Sequence, residues 1–290
     1  MNIIFYNDYN EGYSRVQRED RLWNFINREG NILSKALWFY DVEPFYHGYA
    51  KVQNSNKLWN WINTNGELVS HEKWFEGVFD FFEGFARVKL DDDSYNFIDT
   101  NGNIVFPTQS FLWLGDVEND GFACVQRQDG LWNFINMRKG INRDFLSKTW
   151  FKRVSDFWGG FATVKNEDGL WNYIDSNGNI LIPNQWFKYT TFFSSGYAMI
   201  QREDELWNIV DNKGHILFPN QWYLAVSYFH DGLALIQRKD KKWNLISSDG
   251  IIASSVWFDT ISREHKKWVG IYKKQKYIID KKCGTHRLLL

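Results

Sequence analysis

One alternation of apolar and polar positions returns along nearly the whole chain. A segment of the form Gly-x-Ala-x-Val, as in Gly48-Tyr-Ala-Lys-Val52, sets small and β-branched residues at every second position and predicts a strand with one buried face. A polar turn such as Glu167-Asp168-Gly169 follows, then a second strand, as in Leu170-Trp-Asn-Tyr-Ile-Asp175. Next comes a turn with Asn-Gly, at Asn65-Gly66, Asn101-Gly102 and Asn177-Gly178, where both residues accept positive φ. A third strand is expected over Asn179-Ile-Leu-Ile182, and Pro107, Pro183 and Pro219 end such segments where no ladder N–H is needed. The unit closes on a Trp-Phe pair and an aromatic return such as Phe81-Phe82 or Phe192-Phe193, a candidate fourth strand. No segment keeps a 3.6-residue period, so the pattern predicts an all-β chain.

Three columns keep step. Units start at Gly12, Gly48, Gly84, Gly121, Gly160, Gly196 and Gly232, spaced 36, 36, 37, 39, 36 and 36 residues apart. The aromatics Trp23, Trp59, Tyr95, Trp132, Trp171, Trp207 and Trp243 repeat the same spacing. A looser column runs Trp38, Trp74, Trp113, Trp150, Trp186, Trp222 and Trp257. A meander of this size cannot bury its apolar face alone, so neighbouring units must cover one another in a tandem array. The whole of 1–290 is expected to be one repeat domain. Its N-terminal residues 1–11 look like the tail of a unit, and 268–284, with Tyr277-Ile-Ile-Asp280, like the head of one. Joined, they would make an eighth unit split between the termini, which favours a propeller-like ring over an open superhelical β-solenoid.

Composition sharpens this picture. Aromatic residues make up 19% of the 290, with 16 Trp, enough for a large core. The formal net charge is -1, against the basic excess of a nucleic-acid binder. Cys124 and Cys283 are far apart and form neither a disulfide framework nor a zinc spacing, as in a reducing compartment. There is no basic, apolar leader and no run of about 18 apolar residues, so no membrane partner and a cytoplasmic location are expected.

Little in the sequence points to catalysis. The six His, at 47, 71, 215, 230, 265 and 286, form no His-x-x-x-His pair, and Asp91-Asp92-Asp93 stands where other units carry a polar turn. Asp99, Asp175 and Asp211 share a column with Asn27, Asn63 and Asn136, which suits a turn-organising residue better than paired acid–base carboxylates. No phosphate loop or nucleophile elbow occurs. The expectation is a non-enzyme with no cofactor and no metal.

Positions that vary within a fixed frame are where an array is tuned for a partner. The fourth position of each unit runs Arg15, Lys51, Arg87, Cys124, Thr163, Met199, Leu235, basic early and apolar late. These residues define an expected track for a protein partner, with Arg15, Lys51, Arg87, Met199 and Leu235 as contacts. The pairs Gln17-Arg18, Gln126-Arg127, Gln201-Arg202 and Gln237-Arg238 are a further surface column open to acidic groups. The Trp columns are expected to pack the core, while the off-column Trp61, Trp158 and Trp268 are candidates for stacking on a glycan. The Asn after the aromatic, from Asn24 to Asn244, is expected to be structural, at a left-handed or bulged position or serving a neighbouring backbone.

Gly-x-Ala-x-Val, aromatic-x-aromatic-Ile-Asp-x-x-Gly, Ile-x-x-Pro and a Phe before the next Gly together resemble the bacterial WG-repeat (KWG-repeat) family, from about Gly12 to Lys267. Asn replaces the family's Gly after Trp in every unit. The resemblance implies an all-β interaction array and brings no catalytic residues. The function expected is a protein-binding scaffold, neutralising or organising a bacterial effector or complex component. A glycan-binding module is the alternative, with an enzyme behind both.

Overall fold

Each repeat folds as an antiparallel meander, but its three strands are not the three expected. In the computed structural model, which describes residues 3–5, 8–117, 121–137, 144–265, 267–279 and 286–288, a typical sheet joins Asp41–Val42, Tyr49–Gln53 and Trp59–Asn63 in that order. Val42 lies opposite Val52, and Lys51 opposite Trp61. The first strand is thus a two-residue segment between the preceding Trp-Phe pair and its aromatic cluster, as Gly77–Val78 lies between Trp74-Phe75 and Phe81-Phe82. The Ile-x-x-Pro stretch contributes only an isolated bridge, such as Ile174 to Ile180.

The reason is the Asn column. Asn60 is fully buried. Its Nδ2 donates to the carbonyls of Ser70 (2.7 Å) and Lys73 (3.2 Å), while its Oδ1 accepts from Trp61 N (2.8 Å) and Ser70 N (3.2 Å). One amide side chain thereby satisfies backbone groups that a ladder would otherwise pair. The same pattern recurs at Asn24, Asn96, Asn172, Asn208 and Asn244. Asn serves its own repeat, and none of the seven has positive φ, so the expected left-handed role is corrected.

The column glycines open no strand. Glu11 and Gly12, at φ 48° and 91°, form the two-residue tip of a hairpin closed by Asn10 and Tyr13, as a type I′ turn requires. The next tip, His47-Gly48, donates both its N–H groups to the Glu11 carboxylate at 2.8 Å.

The chain divides into two compact units, Met1–Lys148 and Thr149–Leu290, with the boundary inside the longest interval between column glycines. Each unit holds four sheets among the described residues. In both, apolar cores lie between consecutive sheets. Phe25 of one sheet packs with Val42, Ala50 and Val52 of the next, and Trp61 with Ala86 and Val88. In the second unit Tyr173 packs with Ala198 and Ile200, and Ile209 with Ala234 and Ile236.

Two expectations about the frame need correction. Ile3–Phe5 pairs with Tyr13–Arg18 in the first sheet, and the last sheet is built from Thr260–Glu264, Lys267–Tyr272, Gln275–Ile279 and His286–Leu288 alone. Among the described residues each terminus pairs within a sheet of its own, and no sheet joins strands from both termini. Asp280 and Cys283 lie outside the described residues. Trp113 is not a member of the Trp38 column, because Ser110-Phe111 takes that place and Phe111 pairs with Tyr95. In that Trp-Phe pair it is the second residue, Phe39, Phe75, Phe151, Phe187, Tyr223 or Phe258, that is buried.

Candidate functional site

The predicted track has a common address in the fold. Arg15, Lys51, Arg87, Met199 and Leu235 each stand mid-strand opposite the buried residue of the next strand, namely Phe25, Trp61, Phe97, Ile209 and Leu245. All five are half-buried.

In the first unit the cations of this track are already engaged. Asp8 holds Arg15, accepting from its Nε at 2.5 Å. Lys51 Nζ bridges Glu43 of its own sheet (2.6 Å) and Asp80 of the following one (3.1 Å). Burial pushes the Lys51 ammonium down, but its bonds to Glu43 and Asp80 outweigh this and leave its pKa above the ordinary value. Arg87 stacks 3.7 Å over Phe79, donates to Leu114 O at 2.5 Å and lies 3.5 Å from Asp116. Asp80 and Asp116 occupy the same repeat position, four or five residues before a column glycine, and each reaches back to the cation of the preceding sheet. The basic half of the track is therefore engaged in ion pairs within the chain.

In the second unit the same two columns carry different chemistry. Where the first unit has Lys51 with Asp80 and Arg87 with Asp116, the second has Thr163 with Phe192 and Met199 with Tyr228. A cleft of about 870 Å³ opens here, its walls including Trp158, Thr163, Trp171, Tyr189, Phe192 and Tyr228. That volume lies within the ordinary range of ligand sites, roughly 300–1,000 Å³. Trp158 is 66% exposed and Phe192 53%, with Tyr189 exposed beside them. The Tyr228 hydroxyl donates to Phe192 O at 3.0 Å and so fixes one wall. Arg153 and Asp156 add a guanidinium and a carboxylate to the rim.

This cleft gathers one predicted residue, Trp158, with three that sequence reasoning missed: Tyr189, Phe192 and Tyr228. A signal existed for two of them. The acids at Asp80 and Asp116 give way to aromatics at Phe192 and Tyr228 in one fixed column. Met199 and Leu235 do not line the cleft.

The other two glycan candidates are corrected. Trp61 is 1% exposed, at the core position that Phe25 and Tyr173 fill elsewhere, and its Nε1 donates to Phe79 O at 3.0 Å. Tyr173 makes the equivalent bond, from its hydroxyl to Thr191 O at 2.7 Å. Trp268 is 9% exposed and packs with Leu245 and Phe258 in the last core. Both are buried because they lie on strand faces packed into the apolar cores, so neither presents a face. The on-column Trp, conversely, are half-buried rather than core.

The remaining polar columns shape turns. Asp175 Oδ1 accepts from the N–H groups of Asn177 (2.9 Å) and Asn179 (2.8 Å), and Asp211 does the same for Lys213 and His215. Asp92 Oδ1 accepts from Ser94 N at 3.0 Å, closing its turn. In the Gln-Arg column, Arg18, Arg202 and Arg238 pair with Asp20, Asp204 and Asp240 two residues on, and stack within 4.4 Å of Trp38, Trp222 and Trp257. Arg127 pairs likewise with Asp129. Among the described residues no group of three or more His, Cys, Asp or Glu is placed to hold a metal, and no helix is long and apolar enough to cross a membrane.

Comparison with known proteins agrees with the repeat frame. The model of the WG-containing repeat matches residues 23–59, 59–92, 97–132 and 173–207, each stretch running from one second-strand segment to about the next. No curated protein matches. Among solved structures the chain is similar to Kluyveromyces lactis Hsv2, at 11% identity over 97% of this chain and 95% of that one, TM-score 0.33. It is similar to BamB from Moraxella catarrhalis, at 12% identity over 83% and 78%, TM-score 0.30. It is also similar to the WD40 β propeller domain of Doa1, at 12% identity over 84% and 88%, TM-score 0.26. Likeness at this level says nothing of function. With its matched stretches in register with the sheets described above, this all-β chain carries WG-containing repeats at four positions.

Proposed function

We propose that this chain is a non-enzymatic protein-binding scaffold whose working surface is the aromatic cleft of the second unit. One observation carries the reading: large aromatic side chains, Trp158, Tyr189 and Phe192, stand exposed around one cavity in a fold that leaves few of its described aromatics exposed. Exposed aromatics clustered at a concave surface are the usual anchors of a protein interface. The lining of the cleft includes Arg153 and Asp156 but no His, Cys, Lys or Glu side chain.

The test is capture of a partner from native lysate, its purification, and titration against the intact chain by calorimetry. A one-to-one complex weakened by Trp158→Ala supports the scaffold reading; a purified partner that does not bind removes it. The exposed indole of Trp158 also favours a second reading, glycan stacking, for which saturable quenching of its fluorescence by an oligosaccharide is the expected sign.

A further inference from the structure

We infer that the cleft receives an apolar or aromatic side chain from an extended segment of a partner protein, flanked in that segment by an acid. This rests on the scaffold reading above and names what the scaffold would hold. The first argument is the exchange of chemistry between the two units. Where Lys51–Asp80 and Arg87–Asp116 bridge adjacent sheets, the space between them is filled with ions. Thr163 with Phe192, at the same positions, cannot make that bridge, and the space stands open with an aromatic wall.

The second argument is the state of the polar groups inside. Ser155 Oγ accepts from Thr163 N at 2.9 Å and donates to Asp156 O at 2.9 Å. Thr191 Oγ1 accepts from Met199 N at 2.8 Å. Tyr228 is spent on Phe192 O. A sugar entering here would lose water from its hydroxyls and find most partners already taken, which is costly. An apolar side chain loses nothing of the kind and gains from burial. The third argument is charge at the rim, where the exposed Arg153 guanidinium complements an acid flanking that side chain.

The test uses the full chain labelled with 5-fluorotryptophan, with the Trp158 resonance identified as the one missing in Trp158→Phe. The probes are Ac-Glu-Phe-Arg-NH2, Ac-Glu-Ser-Arg-NH2 and cellohexaose at millimolar concentration. The Phe peptide is expected to move the Trp158 resonance, with the Ser peptide at least about tenfold weaker for want of the buried ring. Thr163→Lys with Phe192→Asp, which restores the ion pair of the first unit, is expected to abolish the response. Phe192→Ser is the second variant should that pair not fold. Equal response to both peptides, response to cellohexaose alone, no response to any probe, or a response retained in the folded variants would overturn the inference. A purified protein partner that binds wild type and the folded variants equally would sink this inference and leave the scaffold reading intact.

Discussion

The side-chain amide of Asn60 clasps the backbone of Ser70 from both sides, donating to its carbonyl at 2.7 Å and accepting from its N–H at 3.2 Å. The contact is buried and spans ten residues within one repeat. It explains why an invariant Asn follows the aromatic in all seven repeats of this chain.

Asn60→Ala would leave the Ser70 groups and the Lys73 carbonyl without their partner in a dry interior. Each such loss costs about 1–3 kcal/mol, so a total of roughly 2–5 kcal/mol is expected, allowing for water entry. Chemical denaturation of the intact chain checks it. Asn60→Asp keeps the acceptor but turns a carboxylate toward two carbonyls, and should cost at least as much.

The Asn-Gly turn supports a second comparison. Gly102 has φ of 82°, and a Cβ there would meet Val69 O of the preceding repeat at 2.2 Å. Gly30 has nearly the same φ, 84°, with open space around it. Gly30→Ala should cost only the left-handed backbone term, about 1 kcal/mol. Gly102→Ala adds a clash with backbone that cannot move away, and should cost well beyond that. Similar melting shifts for the two variants would mean that the contact between repeats is soft.

The off-column Trp61 and Trp158 and the on-column Trp171 separate by burial. Trp61→Ala empties a core site and should cost roughly 3–5 kcal/mol. Trp158→Ala, on an exposed side chain, should stay within about 0.5 kcal/mol. Trp171, half-buried beside the cleft with Lys165 Nζ 5.2 Å from its ring, should fall between them. Denaturant midpoints for the three variants rank them directly.

How far this was legible from sequence depends on the scale of the question. The repeat, its period and its all-β character follow from local alternation and from turn chemistry at Asn-Gly, both short-range. The strand assignment failed at Ile180, because the Asn172 amide, not a neighbouring strand, takes the carbonyls of Ile182 and Gln185. Nothing in a linear pattern separates a side-chain clasp from a ladder. Trp61 was misplaced because an indole among aromatics looks the same whether it sits in or out. Its two-residue period puts it on the face of Lys51's sheet that the next sheet covers. The cleft was missed because it arises from two columns read together, Thr163 with Phe192, and neither column alone signals a cavity.

The Lys51 bridge supports a prediction in pH. Its folded pKa stands above its ordinary value because Glu43 and Asp80 outweigh burial. The ammonium therefore contributes stability that is fully present below the unfolded Lys pKa, about 10.4. That contribution is lost as pH rises through the higher folded value. Lys51→Met should destabilise the chain at pH 8. The gap between the two proteins should narrow on titration above about pH 10.4 as the wild type sheds its proton. Glu43 and Asp80 are both partly exposed, which caps the effect at roughly 1–2 kcal/mol after solvent screening. Asp80→Asn should lower the Lys51 pKa, read from its side-chain resonance by NMR. A gap that stays constant from pH 8 to pH 11 would show that Lys51 acts by packing its stem between sheets rather than by charge.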